Sequence, residues 1–110
     1  MPNIASFFTF LALAAFASAK TYRLSPSDNW FGLLHGNNLQ PGDEVILEAG
    51  TYSNERMLEL SHVGTKESPI VIRAANQARV VFRRPDARQN TFNLAGTQYL
   101  TIKGLEITGG

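Results

Sequence analysis

Five arginines lie between residues 70 and 90, where Asp86 is the only acidic side chain. They are Arg73, Arg79, Arg83, Arg84 and Arg88. A guanidinium group is planar and donates pairs of parallel hydrogen bonds, which matches the geometry of a carboxylate. Of these five, Arg83, Arg84 and Arg88 follow the last apolar run of the segment. We predict that these three line the edge of a groove that binds a ligand carrying carboxylates.

A second interpretation of the same charges is structural. Residues 41–69 contain six acidic side chains and only two basic ones, so an acidic block precedes the basic block. A fold that stacks the two blocks would pair them as a ladder of surface ion pairs, each contributing about 0–1 kcal/mol. The sequence leaves both interpretations open. The formal net charge of +1 argues against a nucleic-acid partner.

Residues that could perform catalysis are few and scattered. The chain has no cysteine, which excludes thiolate nucleophiles, disulfides and cysteine-ligated metals. Lys103 precedes a glycine at a tight corner, so we interpret it as a turn residue. His35 and His62 lie far apart along the chain, and we interpret both as capping or surface residues. We therefore predict no catalytic residue and no metal site in this chain.

The length of 110 residues allows one domain at most. Within it, residues 4–19 carry no charged side chain and end on Ala17-Ser18-Ala19, directly before Lys20. This pattern predicts a secretory signal peptide over residues 1–19, and no later segment is apolar enough to span a membrane. The expected mature protein is extracellular and does not associate with the membrane after cleavage of the signal.

Residues 20–40 predict an N-terminal cap segment with one short helix. Ser27 or Asp28 is the expected N-cap, and Trp30 is expected to anchor the core. From residue 41 the pattern changes to short runs with strand character, bounded by glycine, proline, asparagine or serine. The seven runs are 45–47, 57–60, 70–72, 80–82, 92–94, 99–102 and 105–107.

The connections between the predicted strands distinguish a solenoid from an antiparallel sandwich. Neither Asn-Gly nor Asp-Gly, the usual two-residue hairpin turns, occurs in the chain. Comparable positions recur at similar intervals, for example from Leu47 to Ile72 and from Phe82 to Ile102. Such intervals are typical of one solenoid turn. In this interpretation the segment from Ala49 to Tyr52 ends the first strand.

Three phrases carry a resemblance to a known family. They are PGDEVILEAGTY (41–52), SPIVIRAANQARVVF (68–82) and FNLAGTQYLTIKGLEITGG (92–110). In this order they resemble the N-terminal coils of right-handed parallel β-helix proteins of the pectate-lyase-like superfamily, closest to the alginate lyase and chondroitinase B type of polysaccharide lyase. The resemblance implies an all-β fold, with residues 41–110 forming the first two to three coils of an incomplete solenoid.

The resemblance also implies a function. It indicates a secreted protein that acts on uronate-containing glycans, with Arg83, Arg84 and Arg88 contacting acidic polysaccharide. Lyases of this kind use a lysine and an arginine on central coils, often with calcium, and no position of this chain matches those coils. We therefore expect the catalytic coils and any calcium site to be absent from this chain. The alternatives are a non-catalytic glycan-binding module or a truncated product without independent function.

Overall fold

The computed structural model describes residues 19–86, 88 and 90–109, and the predicted signal peptide falls almost entirely outside them. The described chain contains one short helix and nine short strands. The first elements are β1 (Thr21–Leu24), α1 (Trp30–Leu34), β2 (Glu44–Leu47), β3 (Gly50–Ser53) and β4 (Leu58–Glu59). They are followed by β5 (Ile70–Ala74), β6 (Val80–Arg83), β7 (Phe92–Asn93), β8 (Leu100–Lys103) and β9 (Leu105–Thr108).

The strands stack into three parallel sheets, so the fold is a parallel β-helix of about three turns, as the sequence predicted. The sheets have the orders β1-β2-β5-β8, β3-β6-β9 and β4-β7. Successive turns are β2-β3-β4, β5-β6-β7 and β8-β9, with β1 ahead of the first. All strand pairs are parallel, and each turn bonds to the one before it.

The core lies inside the coil because alternate side chains of each strand point inward. Val45 pairs with Ile72, and Tyr52 pairs with Phe82, so like side chains stack from turn to turn. These four are at most 1% exposed. Trp30 of α1 is 7% exposed and packs edge-on against the rings of Tyr52 and Phe82, which confirms its predicted role as a core anchor.

The helix cap differs from the prediction. Asn29, not Ser27 or Asp28, is the N-cap of α1, and its Oδ1 accepts a hydrogen bond from the Gly32 N–H at 3.1 Å. The Asp28 carboxylate instead accepts from the Ser25 N–H at 2.7 Å and closes the turn that precedes the helix. Both are short polar side chains that satisfy free amides, and the turn uses one of them before the helix begins.

The strand boundaries and intervals also need correction. All seven predicted strands are present, but Gly50–Ser53 forms an additional strand rather than ending β2. Leu47 pairs with Ala74, not with Ile72. Phe82 pairs with Ile107 of β9, further along the chain than the expected Ile102. Both predicted intervals were therefore too short.

Ion pairs join neighbouring turns, as the structural interpretation of the charges predicted. Arg73 Nε lies 2.7 Å from a Glu44 carboxylate oxygen, which pairs the basic block with the acidic block across β5 and β2. Arg23 pairs with Glu48, and Arg79 pairs with Glu106, at 2.8 Å each. Part of the charge pattern is therefore explained by the stacking of the coils.

Candidate anion-binding site

A small depression lies below helix α1, at the corner between the β3-β6-β9 sheet and the β4-β7 sheet. It is open to solvent and has a volume of about 10 Å³, roughly the space of one water molecule. Five aromatic rings, three arginines and the side chains of three further residues line it: Trp30, Phe31, Tyr52, Phe82, Phe92, Arg56, Arg83, Arg84, Asn54, Leu58 and Thr91. No carboxylate is among these lining residues of the described chain.

The aromatic rings give the depression a packed wall. Phe82 stacks on Tyr52 with ring centroids 5.0 Å apart and an interplanar angle of 20°. The ring of Phe92 meets Phe82 edge-on at 5.1 Å, from the neighbouring sheet. These contacts fix side chains on three different elements relative to one another. The arginines around them are therefore attached to a rigid base.

Arg83 and Arg84 reach the depression because β6 ends there. Phe82 points inward, so the next residue, Arg83, points outward from the same sheet, level with Ser53 of the turn before. Arg84 follows the strand, and its guanidinium donates to two backbone carbonyls, those of Glu55 at 2.9 Å and Asn90 at 2.8 Å. Arg84 is thereby fixed in place by neutral partners, and its charge also acts on the nearby Asp86 carboxylate.

Arg56 is the third arginine of the depression, and the sequence did not identify it. Its guanidinium carbon lies 5.0 Å from the centre of the Phe31 ring, a cation–π contact. Its backbone N–H donates to Asn54 Oδ1 at 2.8 Å. Arg56 lies in the acidic block, which concealed it, yet it directly follows Glu55, whose carbonyl oxygen bonds to Arg84 of the next turn. If the spacing between paired residues of adjacent turns had been known, the sequence would have placed Arg56 near Arg84.

Arg88 lies outside the depression. Its Nε is 3.2 Å from an Asp86 carboxylate oxygen, and its side chain is 89% exposed. Hydrogen bonds from the backbone and side chain of Arg88 lower the pKa of Asp86, with a smaller contribution from the charge of Arg84. The structure therefore brings Arg83 and Arg84 together at one site and leaves Arg88 in a local pair. Binding by any of the three stays a prediction.

The seven arginines of the chain fall into two groups. Four have a carboxylate partner within 3.2 Å: Arg23, Arg73, Arg79 and Arg88. The other three are Arg56, Arg83 and Arg84, which form no ion pair with the described residues and all line the same depression. Among the arginines, those without an ion pair to a described residue thus lie at one place.

The two histidines serve the cap segment. His35 is the C-cap of α1, as predicted, and stacks on Phe31 with centroids 4.8 Å apart. His62 is fully buried, so the expectation of a surface position is wrong for it. Its Nε2 contacts the Leu34 carbonyl oxygen at 2.6 Å, and its Nδ1 accepts the Leu39 N–H at 3.2 Å. Burial lowers the pKa of His62, and the bond to Leu34 partly opposes this shift.

Other candidate groups hold structural positions. Lys103 ends β8 at the predicted corner, where Gly104 has a φ of +74°. Tyr52 donates its hydroxyl hydrogen toward the Glu48 carbonyl oxygen at 2.6 Å, and burial raises its pKa to about 12. The described residues contain no group of three side chains suited to hold a metal ion. None of the described helices is long and apolar enough to cross a membrane.

Comparison with known families decides what kind of solenoid this is. The family model described as chondroitinase B matches residues 35–110, which include all strands from β2 onward. The chain belongs to the chondroitinase B family. Its resemblance to a β-helix polysaccharide lyase, predicted from the three phrases, is confirmed.

A solved structure supports the same assignment. A mannuronic acid specific polysaccharide family 6 lyase from human gut microbiota is 30% identical, with a TM-score of 0.57. The match covers 80% of this chain and 20% of the lyase, so this member of the chondroitinase B family spans about a fifth of that enzyme's length. No curated protein matches the chain.

Proposed function

We propose that this chain is part of a secreted β-helix protein that acts on uronate-containing polysaccharide. In this proposal its described coils bind the glycan, and the catalytic coils lie elsewhere. The observation that supports it most is the concentration of Arg56, Arg83 and Arg84 at one depression in a member of the chondroitinase B family. Guanidinium groups without acidic partners are suited to uronate carboxylates.

The proposal divides the chemistry between coils. A lyase removes the proton next to the uronate carboxyl group and stabilises the negative charge that develops, which requires a base and a cation at the reacting sugar. The cations at the depression can orient the polymer, but none of the described residues lining it is a lysine, histidine or carboxylate that could act as the base. The contribution of this stretch is therefore binding and positioning of the chain of sugars.

A second candidate function is a glycan-binding module without catalysis. It is favoured by the same lack of a base among the described residues that line the depression. Both functions require binding to acidic glycans, and only the first requires turnover. The formation of an unsaturated uronate, the product of elimination, by a protein that also carries the catalytic coils distinguishes them.

The test is to incubate the purified protein with poly-mannuronate, dermatan sulfate and a neutral mannan. Binding is measured by affinity electrophoresis at low and high salt, and turnover by the ultraviolet absorbance of unsaturated uronate. We expect binding to the two acidic polymers that weakens with salt, because screening weakens charge contacts. The proposal would be contradicted if the neutral mannan slowed the migration of the protein as much as the acidic polymers do, or if no polymer slowed it. The 110-residue chain alone should bind without an increase in absorbance, and an increase would contradict the proposed division of chemistry between coils. The same assay on a protein that also carries the catalytic coils separates the enzyme, which gives an increase, from the module, which does not.

A further inference from the structure

We propose that Arg56, Arg83 and Arg84 form a preformed receptor for a single oxyanion substituent of a sugar, either a carboxylate or a sulfate ester. The identification of the ligand as a glycan rests on the proposed function. The receptor itself rests on the depression below α1 and on the charges around it. It assigns a binding role to Arg56 and removes that role from Arg88.

The first argument is the distribution of charge. Every other arginine of the chain lies within 3.2 Å of a carboxylate, so its charge is largely compensated. The described residues that line the depression include three arginines and no acidic side chain. Like charges that converge on one site repel each other, and a bound anion relieves this repulsion. The depression is therefore expected to attract an anion from solution.

The second argument is that two of the three cations are held in place before a ligand arrives. Two backbone carbonyls fix the guanidinium of Arg84, which leaves three of its five N–H groups free to donate. The Phe31 ring supports the guanidinium of Arg56, and that ring is itself stacked on His35. Little side-chain entropy remains to be lost when an anion binds. Arg83, at the end of β6, completes the site from the outer face of the sheet.

The third argument is size. Pockets that enclose a whole drug-sized ligand have volumes of roughly 300–1,000 Å³. The depression has a volume of only about 10 Å³ and is open to solvent. It has room for about one water molecule or one oxygen atom of an anion, so a carboxylate or sulfate group would bind at its mouth, and an entire sugar ring cannot enter it. The rest of the glycan would lie across the mouth, over the corner between the two sheets.

The test compares four single variants with the same change of charge. Arg56→Gln and Arg83→Gln alter the depression, whereas Arg79→Gln and Arg23→Gln remove exposed arginines that pair elsewhere. Binding of a mannuronate trisaccharide, a sulfated mannotriose and plain mannotriose is measured by calorimetric titration. Thermal unfolding of each variant verifies that it is folded.

We expect the two depression variants to bind the charged trisaccharides about tenfold to hundredfold more weakly, since each loses a charge-assisted hydrogen bond. The two control variants should stay within about twofold, because exposed charges away from the site are screened. Arg56→Lys tests geometry. Lysine keeps the positive charge but lacks the parallel N–H donors of the guanidinium group. This variant should therefore bind more tightly than Arg56→Gln and more weakly than the wild type.

The outcomes separate the receptor from the proposed function. An equal loss in all four variants would overturn the receptor and indicate diffuse attraction, while binding to uronate polymers would still stand. Binding of sulfated mannotriose alone would support the receptor and contradict a uronate ligand. If neither charged trisaccharide binds more tightly than mannotriose, the receptor is wrong, whatever the polymers show.

Discussion

His62 connects the cap helix to the first coil, and its replacement should measure how much that connection contributes. A carbonyl oxygen can only accept a hydrogen bond, so His62 Nε2 must carry the hydrogen that it donates to the Leu34 carbonyl oxygen, 2.6 Å away. Nδ1 accepts the Leu39 N–H at 3.2 Å, so it must carry a lone pair. The ring is therefore neutral, and both of its nitrogens are satisfied in a fully buried position.

Replacement of His62 by leucine keeps an apolar side chain of similar size and removes both hydrogen bonds. The Leu34 carbonyl and the Leu39 N–H would then be left without this partner among residues that are 1% and 2% exposed. Each buried polar group without a partner costs about 1–3 kcal/mol. The expected loss of unfolding free energy is about 2–6 kcal/mol, a large part of the stability of a domain this small.

The same contacts predict a dependence on pH. Burial lowers the pKa of His62 below its ordinary value of 6.5. Below pH 6.5 the unfolded chain takes up a proton that the folded chain does not, so stability is full above this pH and declines as the pH falls. The slope is at most about 1.4 kcal/mol per pH unit and disappears below the folded pKa.

The assay is urea unfolding of the wild type, His62→Leu and the control His35→Gln at pH 7, 6 and 5. His35 is partly exposed and makes one hydrogen bond to the Glu59 N–H, so the control should lose less stability. Wild type and control should be destabilised as the pH falls, and His62→Leu should lack most of this slope. The reasoning is refuted if His62→Leu is as stable as the wild type at pH 7, or retains the full slope.

Three further predictions concern the coils, and urea unfolding tests each of them. Phe82→Ala should lower the free energy of unfolding by about 3–5 kcal/mol, since it removes a buried ring that stacks on Tyr52. Ile107 pairs with Phe82 in the next turn but is 49% exposed, so Ile107→Ala should lower it much less. Glu44→Gln should lower the free energy of unfolding by about 0.5–1 kcal/mol, and by less in high salt, because its ion pair with Arg73 is about one-third exposed. A loss that is equal at all salt concentrations would contradict this prediction. Gly64→Ala should lower the free energy of unfolding by about 1–3 kcal/mol, because a Cβ there would lie 2.7 Å from the backbone carbonyl oxygen of Tyr99. An unchanged midpoint of urea unfolding would show that the backbone moves to make room.

The fold class could be predicted from sequence because aliphatic alternation is local. The run 57–60 shows its buried face without knowledge of its neighbours, because Leu58 and Leu60 alternate with Met57 and Glu59. The strand β3 could not be found this way, since Gly50–Ser53 contains only one large apolar side chain, Tyr52. Its pairing with β6 makes it a strand, and that pairing is a property of the stacked coil. Tertiary context therefore overrides local preference at this position.

The register of the coils was the main information missing from the sequence. The connections between strands differ in length, so one interval does not apply to all three sheets. Val45 pairs with Ile72, whereas Leu58 pairs with Phe92, which lies much further along the chain from its partner. Without these pairings, Arg56 could not be placed beside Arg84. The candidate site was therefore only partly predictable: two of its three arginines were identified, and the third was assigned to a different charge block.

Register also decides which arginines remain available for a ligand. In a parallel stack, outward side chains of adjacent turns lie within reach of each other, so each basic residue meets whatever the neighbouring turn presents. Arg73 is level with Ile46 and reaches Glu44, two residues earlier on β2, so its charge is neutralised. Arg83 is level with Ser53 on one side and Thr108 on the other, neither of which carries a charge. A Ser53→Glu substitution would therefore create a carboxylate partner for Arg83. We expect it to weaken the binding of charged trisaccharides while it leaves the fold intact, and unchanged binding would show that Arg83 does not contact the ligand.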